Sequence, residues 1–127
     1  MSDNNTAGTI LIRESTLLPA ALAVVSEIFL PGWRVVKNLD RPTLARNIAG
    51  ANWTFFCIGH EIRTTVFGID EEKMVLRAIK EILARLKSEK FNCLEITRVA
   101  SVTSKRFSDV RYITVSAQSR LIQKAFV

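Results

Sequence analysis

The segment FFCIGHEIR, residues 55–63, sets one of the two cysteines and the only histidine of the chain beside a carboxylate. Cys57, His60 and Glu61 are the residue types of a thiolate nucleophile with its base, or of half a C-x-x-H metal site. A tetrahedral metal site needs further ligands, and the sequence holds no second histidine. Catalysis would also need the three side chains to converge, and the local pattern argues against it. Gly59-His60 is a Gly-x pair of the kind that closes two-residue hairpins, and it lies between the strand-like runs WTFFCI and EIRTTVF. In that register Ile58 faces Glu61 and Cys57 faces Ile62, which puts Cys57 and Glu61 on opposite faces with His60 at the tip. The trio reads as a core cysteine next to a turn. No catalytic residue, metal or cofactor follows from it. Gly8, Gly32, Gly50, Gly59 and Gly68 are isolated, so no phosphate-binding glycine pattern exists. Glu61 and Glu95 have no spacing that suggests an acid–base pair.

The second lead is basic. From residue 98 onward Arg98, Lys105, Arg106, Arg111, Arg120 and Lys124 stand against the single acid Asp109, so this quarter carries nearly all of the net charge of +6. Cations neutralise phosphates and an aromatic can stack on a base, and Lys105-Arg106-Phe107 joins both functions on one polar stretch. Arg98, Lys105, Arg106, Phe107, Arg111 and Arg120 form the candidate nucleic-acid site. The plainer reading is a solvated basic edge, since EIRTTVF does not match the aromatic consensus of RNA-recognition strands.

The elements that must position these residues fit one domain. The chain has 127 residues, 48% of them apolar and 24% charged, near the averages for globular proteins. Two cysteines suit a reducing compartment better than a disulfide scaffold. Residues 1–8 are polar and expected to be disordered, and residues 9–127 form a single α+β domain. The run LLPAALAVVSEIFLPGW has acids upstream and Ser26-Glu27 inside it, which speaks against a signal peptide or a membrane span of about 20 residues. It reads as a buried helix from Pro19 to Phe29, and no membrane partner is expected.

TILIR (9–13) has the makings of a short strand and WRVVKNL (33–39) of another. Asp40, Pro42 and Gly50 bracket a short helix. Asp70 opens a longer one, with Val75, Ile79, Ile82 and Leu86 on one stripe. CLEITRV (93–99) and VRYITVSA (110–117) are strands around a projecting loop, and the tail QSRLIQKAFV suits helix or strand. Read from residue 33, the order is βαββαβ: a ferredoxin-like two-layer sandwich with strand order 4-1-3-2, an extra N-terminal helix and an extra C-terminal strand. Both intervening helices would cover one face. The other would expose Phe56, Ile58, Phe67 and Val36, a patch that calls for the N-terminal helix, a second subunit, or both as cover. That order separates Cys57 from Cys93 by three strand spacings, about 14 Å, beyond disulfide reach.

At LPGWRVVKNLD, KFNCLEITRV and YITVSAQSRLIQ the chain resembles small bacterial proteins of unknown function, over residues from about 30 to the C-terminus. The resemblance implies a bacterial, cytoplasmic setting and supplies no activity, cofactor or site residue. Three functional readings follow: a non-enzymatic, homo-oligomeric binding or accessory domain, a nucleic-acid or polyanion binder, and a small enzyme with a pocket at a subunit interface. The first is preferred.

Overall fold

A computed structural model describes residues 8–13, 32–50, 53–57 and 61–124. The strands are β1 (Gly8–Ile12), β2 (Trp33–Lys37), β3 (Trp53–Cys57), β4 (Ile62–Gly68), β5 (Cys93–Thr103) and β6 (Arg111–Lys124); the helices are α1 (Arg41–Ala49) and α2 (Glu71–Arg85). The strands form one mixed sheet in the order β2-β1-β5-β6-β3, with β4 also paired to β6. This is not a ferredoxin-like arrangement. The expected helix from Pro19 to Phe29, and residues 1–7, lie outside the described residues.

The decisive difference is at residues 53–68. β3 and β4 do not pair with each other; each runs antiparallel to β6, with Cys57 opposite Arg120 and Ile62 opposite Ala117. β5 takes the other edge of β6 from Arg111 to Arg120. The two short strands therefore lie end to end along one long partner and do not form the expected hairpin with each other; residues 58–60 between them lie outside the described residues. Alternation in WTFFCI and EIRTTVF suits either outcome, because each run needs only an antiparallel neighbour and β6 is long enough to serve both. Of the tail QSRLIQKAFV, which suits helix or strand by sequence, residues 118–124 are the second half of β6. The loop after Val99 is shorter than expected, since β5 continues to Thr103 and only residues 104–110 turn the chain.

TILIR, a short strand by sequence with no place in the expected sheet, is β1 and lies between β2 and β5. Its run Ile10, Leu11 and Ile12 is buried on both faces, as an interior strand with parallel neighbours requires.

The helices pack on opposite faces rather than together. α2 lays Val75, Ile79 and Ile82 over Ile10, Ile12, Leu94, Ile96, Ile113 and Val115, the main core. Burying each such side chain contributes about 1.5–3 kcal/mol. α1 packs Leu44 and Ala45 against Leu11, Cys93 and Ile122 on the other face. Asp40 caps α1 by accepting the Thr43 N–H at 2.7 Å, and hydrogen bonding from Thr43, its side chain first and then this N–H, holds the carboxyl below the usual range. Gly50, at φ 84°, ends the helix and donates its N–H to the Arg46 carbonyl at 2.8 Å. α1 has nine residues and spans about 13 Å, whereas β6 has fourteen and spans about 47 Å. Among the described residues the short helix covers one end of its face and leaves the rest of β4, β5 and β6 open.

α2 also guards the edge of β4 that has no neighbouring strand among the described residues. The Arg77 guanidinium donates to the Phe67 carbonyl at 2.7 Å and that of Arg85 to the Arg63 carbonyl at 2.9 Å. Eight helical residues advance about 12 Å and four strand residues about 13.6 Å, so the arginines and carbonyls stay in step. Unpaired strand edges recruit other strands, and cations placed there discourage it. Arg77→Ala with Arg85→Ala is expected to increase concentration-dependent association seen by light scattering; an unchanged profile would show that this edge needs no guard.

Candidate functional site

The open face is built in rows, because residues opposite one another on neighbouring strands share a face. Nearest α1 is a buried charge network. Glu95 on β5 accepts from Arg41 Nε at 3.1 Å and Nη2 at 2.9 Å, and from Arg120 Nε at 2.9 Å. Burial pushes the Glu95 carboxyl up, but hydrogen bonding and charge from Arg41, then Arg120, outweigh it and the net shift is downward. The same burial, aided by the Glu95 charge, pushes the neighbouring Cys93 thiol up to about 12. Cys93 is a free, inert core thiol. Arg120 separates Cys93 and Cys57 in register, so the cysteines stand two strand spacings apart, about 9.6 Å, rather than the three expected; disulfide reach is still exceeded. In a Cys57→Ser variant the remaining thiol should react with a thiol reagent only as the protein unfolds, and fast labelling of the native state would contradict the burial of Cys93.

The next row holds Arg98 on β5, Ser116 on β6 and Arg63 on β4. Ile96 pairs with Ala117 and Arg98 with Ser116, so Thr97 is an extra residue, a β-bulge. A bulge re-aims side chains. Here Thr97 and Arg98 both line a shallow basin of about 410 Å³ together with Glu61, Arg63, Ala100, Thr114 and Ser116. The Thr97 hydroxyl donates to Glu61 Oε2 at 3.0 Å. Among the described residues neither the Arg63 nor the Arg98 guanidinium has a hydrogen-bond or ion-pair partner.

Beyond the basin, Thr65 and Thr114 share a hydroxyl hydrogen bond of 2.8 Å. Then comes an apolar row in direct register, Val102, Tyr112 and Phe67. All three face water, at 63%, 43% and 65% exposure, and the Phe67 and Tyr112 rings lie 6.2 Å apart. The row ends at the turn of residues 104–110, where Ser104 Oγ accepts the Arg106 and Phe107 N–H groups, each at 3.2 Å. That turn leaves Lys105, Arg106 and Phe107 exposed.

Of the residues singled out in the sequence, Arg98 is on the open face and Lys105, Arg106 and Phe107 stand at its far end. Arg120 is bound to Glu95. Arg111 falls on the α2 face, two residues from buried Ile113. Phe67 is bare on the open face, while Val36 packs beneath α1. Phe56 pairs with Leu121 along the backbone, and its side chain, with Ile58 and His60, lies outside the described residues. Sequence reasoning passed over Arg63 and Tyr112. The alternation Tyr112, Thr114, Ser116 could have revealed Tyr112, and the spacing of Arg63 from Phe67 could have revealed Arg63; no sequence signal marked the bulge.

Among the described residues no helix is long and apolar enough to cross a membrane. Comparison with known proteins gives no match to a family model, a curated protein or a solved structure.

Proposed function

We propose that the open face of β4, β6 and β5 binds single-stranded nucleic acid. The exposed Phe67–Tyr112 pair beside the unpartnered guanidinia of Arg63 and Arg98 carries the reading. Rings on an open sheet offer stacking surfaces to unstacked bases, and cations around them track the phosphates. Bases in a duplex already stack on each other, so a single strand fits better. Lys105, Arg106 and Phe107 extend the surface past the end of the strands, and the net charge of +6 favours a polyanion over an uncharged partner.

The test is anisotropy of a labelled single-stranded oligonucleotide across a salt series. Affinity should fall with a log-log slope of about −0.7 per phosphate contacted. Lys105→Ala with Arg106→Ala should flatten the slope; an unchanged slope would remove the turn from the interface, and no binding at low salt would overturn the reading.

Self-association through the same face is the second reading, favoured by the apolar row Val102, Tyr112 and Phe67. A two-fold sheet-to-sheet pair would bring the Arg63 and Arg98 sides of both copies close together, which like charge opposes. Light scattering separates the two, since a dimer that dissociates on adding oligonucleotide would show one face serving both.

A further inference from the structure

We infer that the basin over Ser116 is a base-selective subsite, and that Glu61 makes it select guanine. The inference rests on the nucleic-acid reading and adds to it a preference that a stacking platform alone would lack. A carboxylate at a phosphate-binding surface repels its ligand, so the place of Glu61 in the same basin as Arg63 and Arg98 needs a reason. Neutralising the arginines is not that reason: Glu61 pairs with neither Arg63 nor Arg98, and its carboxylate is held instead by the Thr97 hydroxyl at 3.0 Å. The bulge at Thr97 is what brings that hydroxyl to the open face beside Arg98. One hydroxyl uses one of roughly four lone-pair sites of a carboxylate, so both oxygens can still accept.

Two donors side by side are what such a group can take. Guanine alone among the common bases presents adjacent donors, N1–H and N2–H, on its Watson–Crick edge. Adenine and cytosine each set a ring-nitrogen acceptor beside the amino group, and uracil flanks its N–H with two carbonyls, so each would turn a lone pair toward the carboxylate. The volume of about 410 Å³ suits a nucleobase. Arg63 and Arg98 flank Ser116 from either side, about 9.6 Å apart at Cα, and their planar guanidinia can close over a ring or hold its phosphate. The floor of Ser116 and Thr114 is small enough to let a base lie close to the sheet.

The experiment uses the whole chain and labelled oligouridines that carry one central guanosine, adenosine or cytidine. The guanosine strand should bind about 5- to 150-fold more tightly than the others, the range of one bidentate base contact. Glu61→Gln should remove that preference while binding of plain oligouridine stays equal or rises, because a repulsive charge has gone. Thr97→Val, which frees the carboxylate to swing, should reduce the preference without abolishing binding. Equal affinities for all four strands, or a Glu61→Gln variant that keeps the preference, would overturn the inference and leave the platform intact. Absence of binding to every strand would overturn the platform and the subsite together.

Discussion

Glu95→Ala is expected to lower the stability of the protein by about 3–5 kcal/mol, the range seen when one partner of a buried ion pair is removed. Glu95 is only 4% exposed and receives three charged hydrogen bonds from two arginines. The arginines differ in what the loss does to them. The Arg41 side chain is 43% exposed and can turn to water, whereas that of Arg120 is 14% exposed and keeps its charge inside the fold. Arg41→Ala should therefore cost less than Arg120→Ala. Glu95→Ala combined with Arg120→Met should recover part of the loss, because the buried charge goes with its partner. Urea unfolding followed by circular dichroism reads these effects as a lower midpoint at constant slope. A loss under about 1 kcal/mol for Glu95→Ala would place this network among the weak surface pairs.

The same carboxylate gives the protein an acid limit. Its folded pKa lies below the ordinary value of 4.5, so the folded state binds this proton less readily than the unfolded chain. The contribution is complete above the unfolded value and is lost as pH falls through the folded one. The stability gap between the parent protein and Glu95→Gln should be constant above about pH 5 and shrink at lower pH. A gap that stayed constant down to acid unfolding would contradict the downward shift.

Local periodicity made some of this legible. The stripe of Val75, Ile79, Ile82 and Leu86 located α2, and Asp40 with Gly50 bounded α1, because helix signals are confined to a few turns. The pairing of β5 with β6 followed from their succession. Partner choice elsewhere did not follow, since alternation tells which face a residue takes and not which strand lies beside it. Gly59-His60 carried a turn signal, yet β6 is long enough to hold β3 and β4 in line. Ile10, Leu11 and Ile12 carried the signal of an interior strand, and its shortness hid it. The Glu95 network joins residues 25 and 54 positions apart, a relation that only the finished sheet creates. Arg120 accordingly looked like a free cation in the sequence and is bound in the fold.

Removing the exposed rings should have the largest effect on binding. Phe67→Ala and Tyr112→Ala are each expected to weaken single-strand affinity by about 1–3 kcal/mol, or about 5- to 150-fold, the worth of one base stacked on one aromatic. Both side chains lie outside the two cores, so their cost to folding should be limited to the cross-strand contact, about 0.2–1 kcal/mol. A thermal melt close to that of the parent would then show that lost affinity is not lost fold. Leucine separates the two uses of this face. Phe67→Leu with Tyr112→Leu keeps an apolar row beside Val102 but has no π-surface, so apolar self-association would persist while stacking on bases would not. If the leucine pair binds oligonucleotide as tightly as the parent, the rings do not stack on bases and the face is an apolar docking surface.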